Sequence, residues 1–252
     1  MTTEAGKETS FHPEGLTPAQ ETLADILIET KISAKVKRRK TLLNGKFGFE
    51  DVTRPTSPFD FAQEGEFALK LHENHPEAPL SPYYINLRSL PPELNRQIGV
   101  VLSEIPTDVT PDCCAGIPDA GTPLITAYAD ASGVPLVDIF VKEQTPDGKR
   151  RIVIKPGVRG EGKKLRIGDD VITEAGTKVE AIDAAERAGF KVVDILVVID
   201  REQGGKEELE RRGHKLRAAF TVTQLLDNYR RKDKINKVKY DESKAYLASG
   251  KR

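Results

Sequence analysis

Cysteine is almost missing from this chain of 252 residues: Cys113 and Cys114 are the only two, and they are sequence neighbours. Adjacent cysteines neither staple distant parts of a fold nor offer the paired CxxC ligands of a zinc site. That pattern favours a reducing, cytoplasmic setting. Long apolar runs are missing too: 18 apolar residues never follow one another, and the opening "MTTEAGKETSFHPEG" lacks the hydrophobic segment of a secretion signal. No membrane partner is expected. Nor is there an excess of charge of one sign, because Lys plus Arg and Asp plus Glu both number 39. A balanced field gives nucleic acid no general surface to bind. Histidine is scarce, and among His12, His72, His75 and His214 only His72 and His75 stand close, in a Pro-rich stretch that is thin support for a metal site. What is present is a charged globular chain, 38% hydrophobic, long enough to bury a core.

Residues 1 to 15 read as a loose polar arm. In "LTPAQETLADILIETKI" the apolar spacing predicts an amphipathic helix, capped by Thr17 with Pro18 next. The basic "SAKVKRRKTLLNGK" reads as a solvated helix end or loop, with a phosphate or acidic partner as the alternative, and residues 51 to 80 read as an elaborated surface loop. From about residue 110 the pattern changes. "DCCAGI" and "PLVDIFV" read as strands flanking the helix "TPLITAYADASG", and "KLRIGDD" and "VVDILVVID" flank the helix "GTKVEAIDAAERAG". Strand, helix, strand repeated predicts an α/β fold with a parallel sheet covered by helices on both faces. In such sheets ligands bind at the carboxyl ends of the strands.

"GDDVITEAGT", residues 168 to 177, falls at such an end. A strand ending in Asp169 and Asp170 that turns through Thr173, Gly176 and Thr177 into a helix presents N–H groups and hydroxyls to an anion. The two carboxylates suit ribose hydroxyls or, through water, a Mg²⁺ ion carrying a diphosphate. A plain capped turn is the competing reading.

"DDVITEAGTKVEAIDAAERAG" resembles the phosphoribosyl diphosphate (PRPP) motif of type I phosphoribosyltransferases. With "GEFALK" (65 to 70), "SPYYINLR" (81 to 88), "AGIPDAGTPLITAYADASGVPL" (115 to 136) and "VVIDREQGGKEELERRGHKLRAAFTVTQLL" (197 to 226), the chain is similar to the orotate phosphoribosyltransferase family, segment by segment in that family's order. The resemblance covers roughly residues 60 to 227. It implies an N-terminal arm, helix and elaborated loop (1–60) contributing a small hood, a phosphoribosyltransferase-like domain (61–227) and a C-terminal tail (228–252). It also implies transfer between orotate and PRPP with Mg²⁺, in a homodimer whose mobile loop serves the neighbour's site. By position, Lys70 matches a lysine reaching the nucleotide site, Tyr84 and Ile85 the pair lying against the base, and Arg201 the arginine that holds orotate. Asp169 and Asp170 would meet the PRPP ribose and, through water, the metal, while Val171, Ile172, Thr173, Ala175, Gly176 and Thr177 would line its 5′-phosphate, Thr173 also reaching the base. Lys142, Lys149 and Asp169 would carry catalysis.

Three loops depart from the family. Glu174 and Ala175 stand where a small or hydroxyl residue and Gly are usual, and Asp119 and Ala120 where Tyr and then Lys or a small residue are usual. "VKEQTPDG" keeps Lys142 and Gly148, but the loop's other cations fall on Val141, Thr145 and Asp147; Lys149, Arg150 and Arg151 follow at once. These departures leave two rivals: a weak or inactive relative that binds a nucleotide or a protein, and a transferase for another base.

Overall fold

The computed structural model describes residues 15–68, 72, 75–145, 148 and 150–250. Lys70, Lys149 and the arm before residue 15 lie outside the described residues.

Helix α1 (Pro18–Glu29) begins at the expected cap: the Gln20 N–H donates to Thr17 Oγ1 at 3.2 Å and the Thr17 N–H to Gln20 Oε1 at 2.8 Å. The basic stretch after it is no loop. It forms β1 (Ile32–Thr41), paired antiparallel with β2 (Phe47–Thr56) from Ile32↔Thr56 to Thr41↔Phe47. The reason is alternation: Ala34 and Val36 are buried on one face while Lys35 between them is exposed. Acidic partners for these cations are internal, Lys35 pairing with Asp51 at 2.9 Å and Lys40 with Glu50 at 2.8 Å. The supposed loop 51–80 is likewise part strand, holding the end of β2 and β3 (Phe59–Phe61), which pairs with β4 (Tyr83–Ile85).

After α2 (Pro92–Ser103) comes the parallel sheet, four strands in the order β10-β9-β8-β5, made of β5 (Cys113–Gly116), β8 (Lys164–Ile172), β9 (Lys191–Asp200) and β10 (Leu216–Thr221). Helices α3 (Gly121–Ser132), α4 (Gly176–Arg187) and α5 (Gly205–Arg211) connect or flank these strands, and α6 (Val222–Arg231) and α7 (Lys237–Ser249) close the chain. "PLVDIFV" departs from expectation: the strand is β6 (Phe140–Gln144), and it pairs antiparallel with β7 (Arg150–Ile154) outside the parallel sheet, while the earlier residues meet that sheet at Cys114, whose N–H donates to the Pro135 carbonyl at 2.8 Å and whose carbonyl accepts from the Val137 N–H at 2.9 Å.

The core shows why β9 reads as an unbroken apolar run. Ile195 and Val197 pack on one face of the sheet with Ile167 and Ile182, whereas Leu196 and Val198 pack on the other with Leu124 and Phe220. That second cluster takes in Leu23 and Leu27 of α1, Phe59, Tyr83, Tyr229 and Leu247 of α7, so α1 and α7 are built into the same core. Among the described residues, no helix is long and apolar enough to cross a membrane.

Candidate active site

Strand β8 runs on to Ile172, so Asp169 and Asp170 lie inside the strand and not at its end. Strand alternation sends their side chains to opposite faces. Asp169 is buried, whereas Asp170 is half-buried. Above Asp169 sits the start of α3, seated by glycine. A Cβ on Gly121 would stand 2.7 Å from the Gly168 carbonyl oxygen and 2.8 Å from Asp169 Cα.

Asp169 is also held by Lys178, which the sequence offers instead as an outward partner for Glu174, four residues before it. Lys178 Nζ lies 2.7 Å from Asp169 Oδ2 and donates to the Val171 carbonyl. Both partners are buried, and burial pushes the Asp169 carboxyl up to about 6 while Lys178 pulls it down. A sequence signal existed: Lys178 occupies the buried stripe of α4 with Ala181, Ile182 and Ala185, spacing i, i+3, i+4, i+7, where a cation needs a partner.

The turn between β8 and α4 keeps the shape of an anion cradle. Ala175, at the helix start, has φ 67° and ψ −4°, the left-handed conformation for which the family's glycine is suited. No side chain caps α4, and a Cβ on Gly176 would meet nothing within 4 Å. Thr173 is half-buried, and Gly176 and Thr177 are exposed. Glu174 is exposed as well. It does not reach Lys178, whose charge is spent on Asp169. Val171 is half-buried, and Ile172 packs its side chain into the core, leaving it only backbone to offer.

Arg201 follows β9 directly, and its N–H donates to the Ile172 carbonyl at 3.0 Å, which ties the ends of β8 and β9 together. Its guanidinium lies over the Tyr83 ring, 5.7 Å from the centroid. Guanidinium nitrogens Nε and Nη2 are buried and close no hydrogen bond among the described residues. Burial pushes the Tyr83 hydroxyl up to about 12, with Arg201 acting in the opposite direction. Tyr84 and Ile85 are half-buried on β4, and Tyr84 stacks on Phe67 with centroids 4.9 Å apart. Lys142 on β6 pairs at 3.4 Å with Asp119, an acid foreign to the family pattern. Arg151 of the basic triplet is taken by Glu143 at 2.8 Å, and Arg150 is exposed.

The donor set limits how Mg²⁺ can be held. No group of three or more His, Cys, Asp or Glu side chains converges among the described residues. With Asp169 balanced by Lys178, Asp170 is the carboxylate that fits a metal through water, and a diphosphate-borne Mg²⁺ asks for little more.

No family model matches the chain. It is 31% identical over 154 residues to the orotate phosphoribosyltransferase of Aquifex aeolicus, covering 58% of this chain and 82% of that protein. Its fold superposes on the UMP synthase of Leishmania donovani with a TM-score of 0.61 and 28% identity, across 76% of this chain but only 40% of that one. The orotate phosphoribosyltransferase of Mycobacterium tuberculosis, solved in complex with PRPP, shares the fold at a TM-score of 0.52 and 21% identity, across 82% of this chain and 99% of that one.

Proposed function

The chain belongs to the orotate phosphoribosyltransferase family, and we propose that it joins orotate to PRPP across the carboxyl ends of β8 and β9, giving orotidine 5′-monophosphate and diphosphate. One observation carries the placement of orotate. Among the described residues, Arg201 keeps two buried guanidinium nitrogens without a hydrogen-bond acceptor, and an acidic pyrimidine supplies a carboxylate and carbonyls that a planar fork can pair with. Tyr84 offers its ring face to the base, and Ile85 gives apolar cover. The open turn Thr173 to Thr177 takes the 5′-phosphate on backbone N–H groups and hydroxyls. Asp170 faces the ribose hydroxyls, and Lys178 keeps a charge balance behind it on Asp169.

Mg²⁺, when bound with PRPP, supplies positive charge to the departing diphosphate, and Asp170 would hold it through water. Lys142 and the arginines at 150 and 151 would add cations for the diphosphate, with Lys149 beside them in sequence, and preorganised charge contributes most there. We place these loop residues in the neighbouring subunit's site of a homodimer, in a cytoplasmic setting that suits two unpaired buried thiols. The inactive-relative reading draws on the Lys142–Asp119 pair, which occupies the described loop lysine. Exposed Glu174 leaves the cradle open and speaks for turnover.

The deciding measurement follows loss of orotate absorbance with PRPP and Mg²⁺, then compares Arg201→Ala by calorimetry. Orotate binding should disappear while PRPP affinity stays within about twofold, since only the base end loses its charge-assisted partner. Equal loss of both ligands would make Arg201 structural and move the base elsewhere.

A further inference from the structure

The β1–β2 hairpin precedes the part of the chain that resembles the family, yet it grips the segment carrying the base end of the site. The Arg39 N–H donates to the Gly65 carbonyl at 2.7 Å and the Ala68 N–H to the Lys37 carbonyl at 3.1 Å. Between these anchors, Glu66 is fully buried. Arg54 holds it with Nη2 at 2.6 Å from Oε2 and Nε at 2.9 Å from Oε1, Arg38 Nη2 adds a contact at 3.3 Å, and the Gln63 N–H donates at 3.1 Å. Burial works to raise the Glu66 carboxyl, but these donors hold it below its usual value. Arg54 Nη1 also reaches Asp60 Oδ2 at 2.7 Å.

Stability alone does not call for this arrangement. A buried ion pair seldom outperforms well-packed apolar side chains, whereas it fixes geometry strictly. What it fixes is the next residue. Phe67 is buried at φ 58°, a left-handed conformation that a bulky residue adopts only when its surroundings force it. Held so, its ring stacks on Tyr84 at 4.9 Å and 21°, under the Arg54 guanidinium 5.7 Å from the Phe67 centroid. Asp60 is the register partner of Tyr84 across β3 and β4, so the same Arg54 also holds the strand beside Tyr84.

We propose that Arg54 and Arg38, acting through Glu66 and Phe67, are positioning residues that set the plane of the Tyr84 ring against the pyrimidine. The hairpin is then a specificity element of the orotate end. This rests on the reading of Tyr84 as the ring that meets orotate.

Steady-state kinetics of the wild type, Arg54→Met, Glu66→Gln and Phe67→Leu test it, with orotate and PRPP varied separately and thermal midpoints measured alongside. Each variant should raise the orotate KM about fivefold, as expected for a lost aromatic arrangement, and leave the PRPP KM within about twofold. Should Arg54→Met fail to fold, Phe67→Leu, which keeps apolar bulk without the ring, decides the matter. Folded variants that raise both KM values together, or neither, overturn the positioning role while wild-type turnover leaves the enzyme reading intact. A wild type that consumes no orotate overturns both.

Discussion

Glu174 is the residue whose chemistry looks most out of place, since a carboxylate in a phosphate turn repels the ligand. Its exposure resolves the conflict: at 4 Å in water the repulsion is about 1 kcal/mol per unit of phosphate charge, and it falls further with distance and salt. Ala175 beside it bears a backbone cost instead, because a left-handed alanine is disfavoured by about 1 kcal/mol against glycine. Glu174→Thr should therefore change PRPP affinity by less than about threefold, and adding Ala175→Gly should not lift it by more than about tenfold. Isothermal titration of both variants checks this. A gain of about a hundredfold would mean that the parent turn is shut and would favour the inactive-relative reading. At this scale the sequence revealed the turn, its acids and its departures, because these are local. Lys178 pointed to Glu174 in the sequence, because its true partner Asp169 is nine positions away on another element and across a buried contact.

Between elements, the most exacting contact lies at the end of the sheet away from the ligands. Arg166 of β8 and Asp194 of β9 form a fully buried bidentate pair at 2.7 and 2.6 Å, with Tyr128 of α3 accepting from Arg166 at 2.9 Å. Arg217 of β10 approaches Asp194 at 3.3 Å, so one carboxylate links three strands and, through Arg166, a helix. Asp194→Ala would leave Arg166 buried without its counter-charge, and should cost about 3–5 kcal/mol. A lowered urea midpoint with unchanged slope would show it; a loss under about 1 kcal/mol would mean that Tyr128 and water suffice. Neither residue announced this role, for each is a lone charge in an apolar run and the sequence does not say which strands are neighbours. The runs themselves were legible, and so were α1, α3, α4 and the alternation of strand and helix after residue 110. Hairpin β1–β2 was not. Its cations hid a period-2 pattern in which only Ala34 and Val36 are buried along β1.

The whole molecule draws its first and last helices into one core, through Leu23, Leu27 and Leu247, and leaves the β6–β7 hairpin at its edge carrying the cations proposed for diphosphate. Lys142 rests there on Asp119 of the same chain, at 3.4 Å with the aspartate side chain 84% exposed. So exposed a pair contributes at most about 1 kcal/mol, too little to keep the hairpin from a better anion. A diphosphate in a neighbour's cleft is such an anion, and a homodimer with shared sites would use it. Mixing Lys142→Ala with Asp170→Asn tests this directly: a heterodimer places both lesions in one site and leaves the other intact, so two inactive preparations should together recover about a quarter of wild-type activity after random subunit exchange. Exchange is followed independently with differently tagged subunits. Mixed dimers that form yet stay inactive would place Lys142 in its own chain's site, with the Asp119 contact as its resting position.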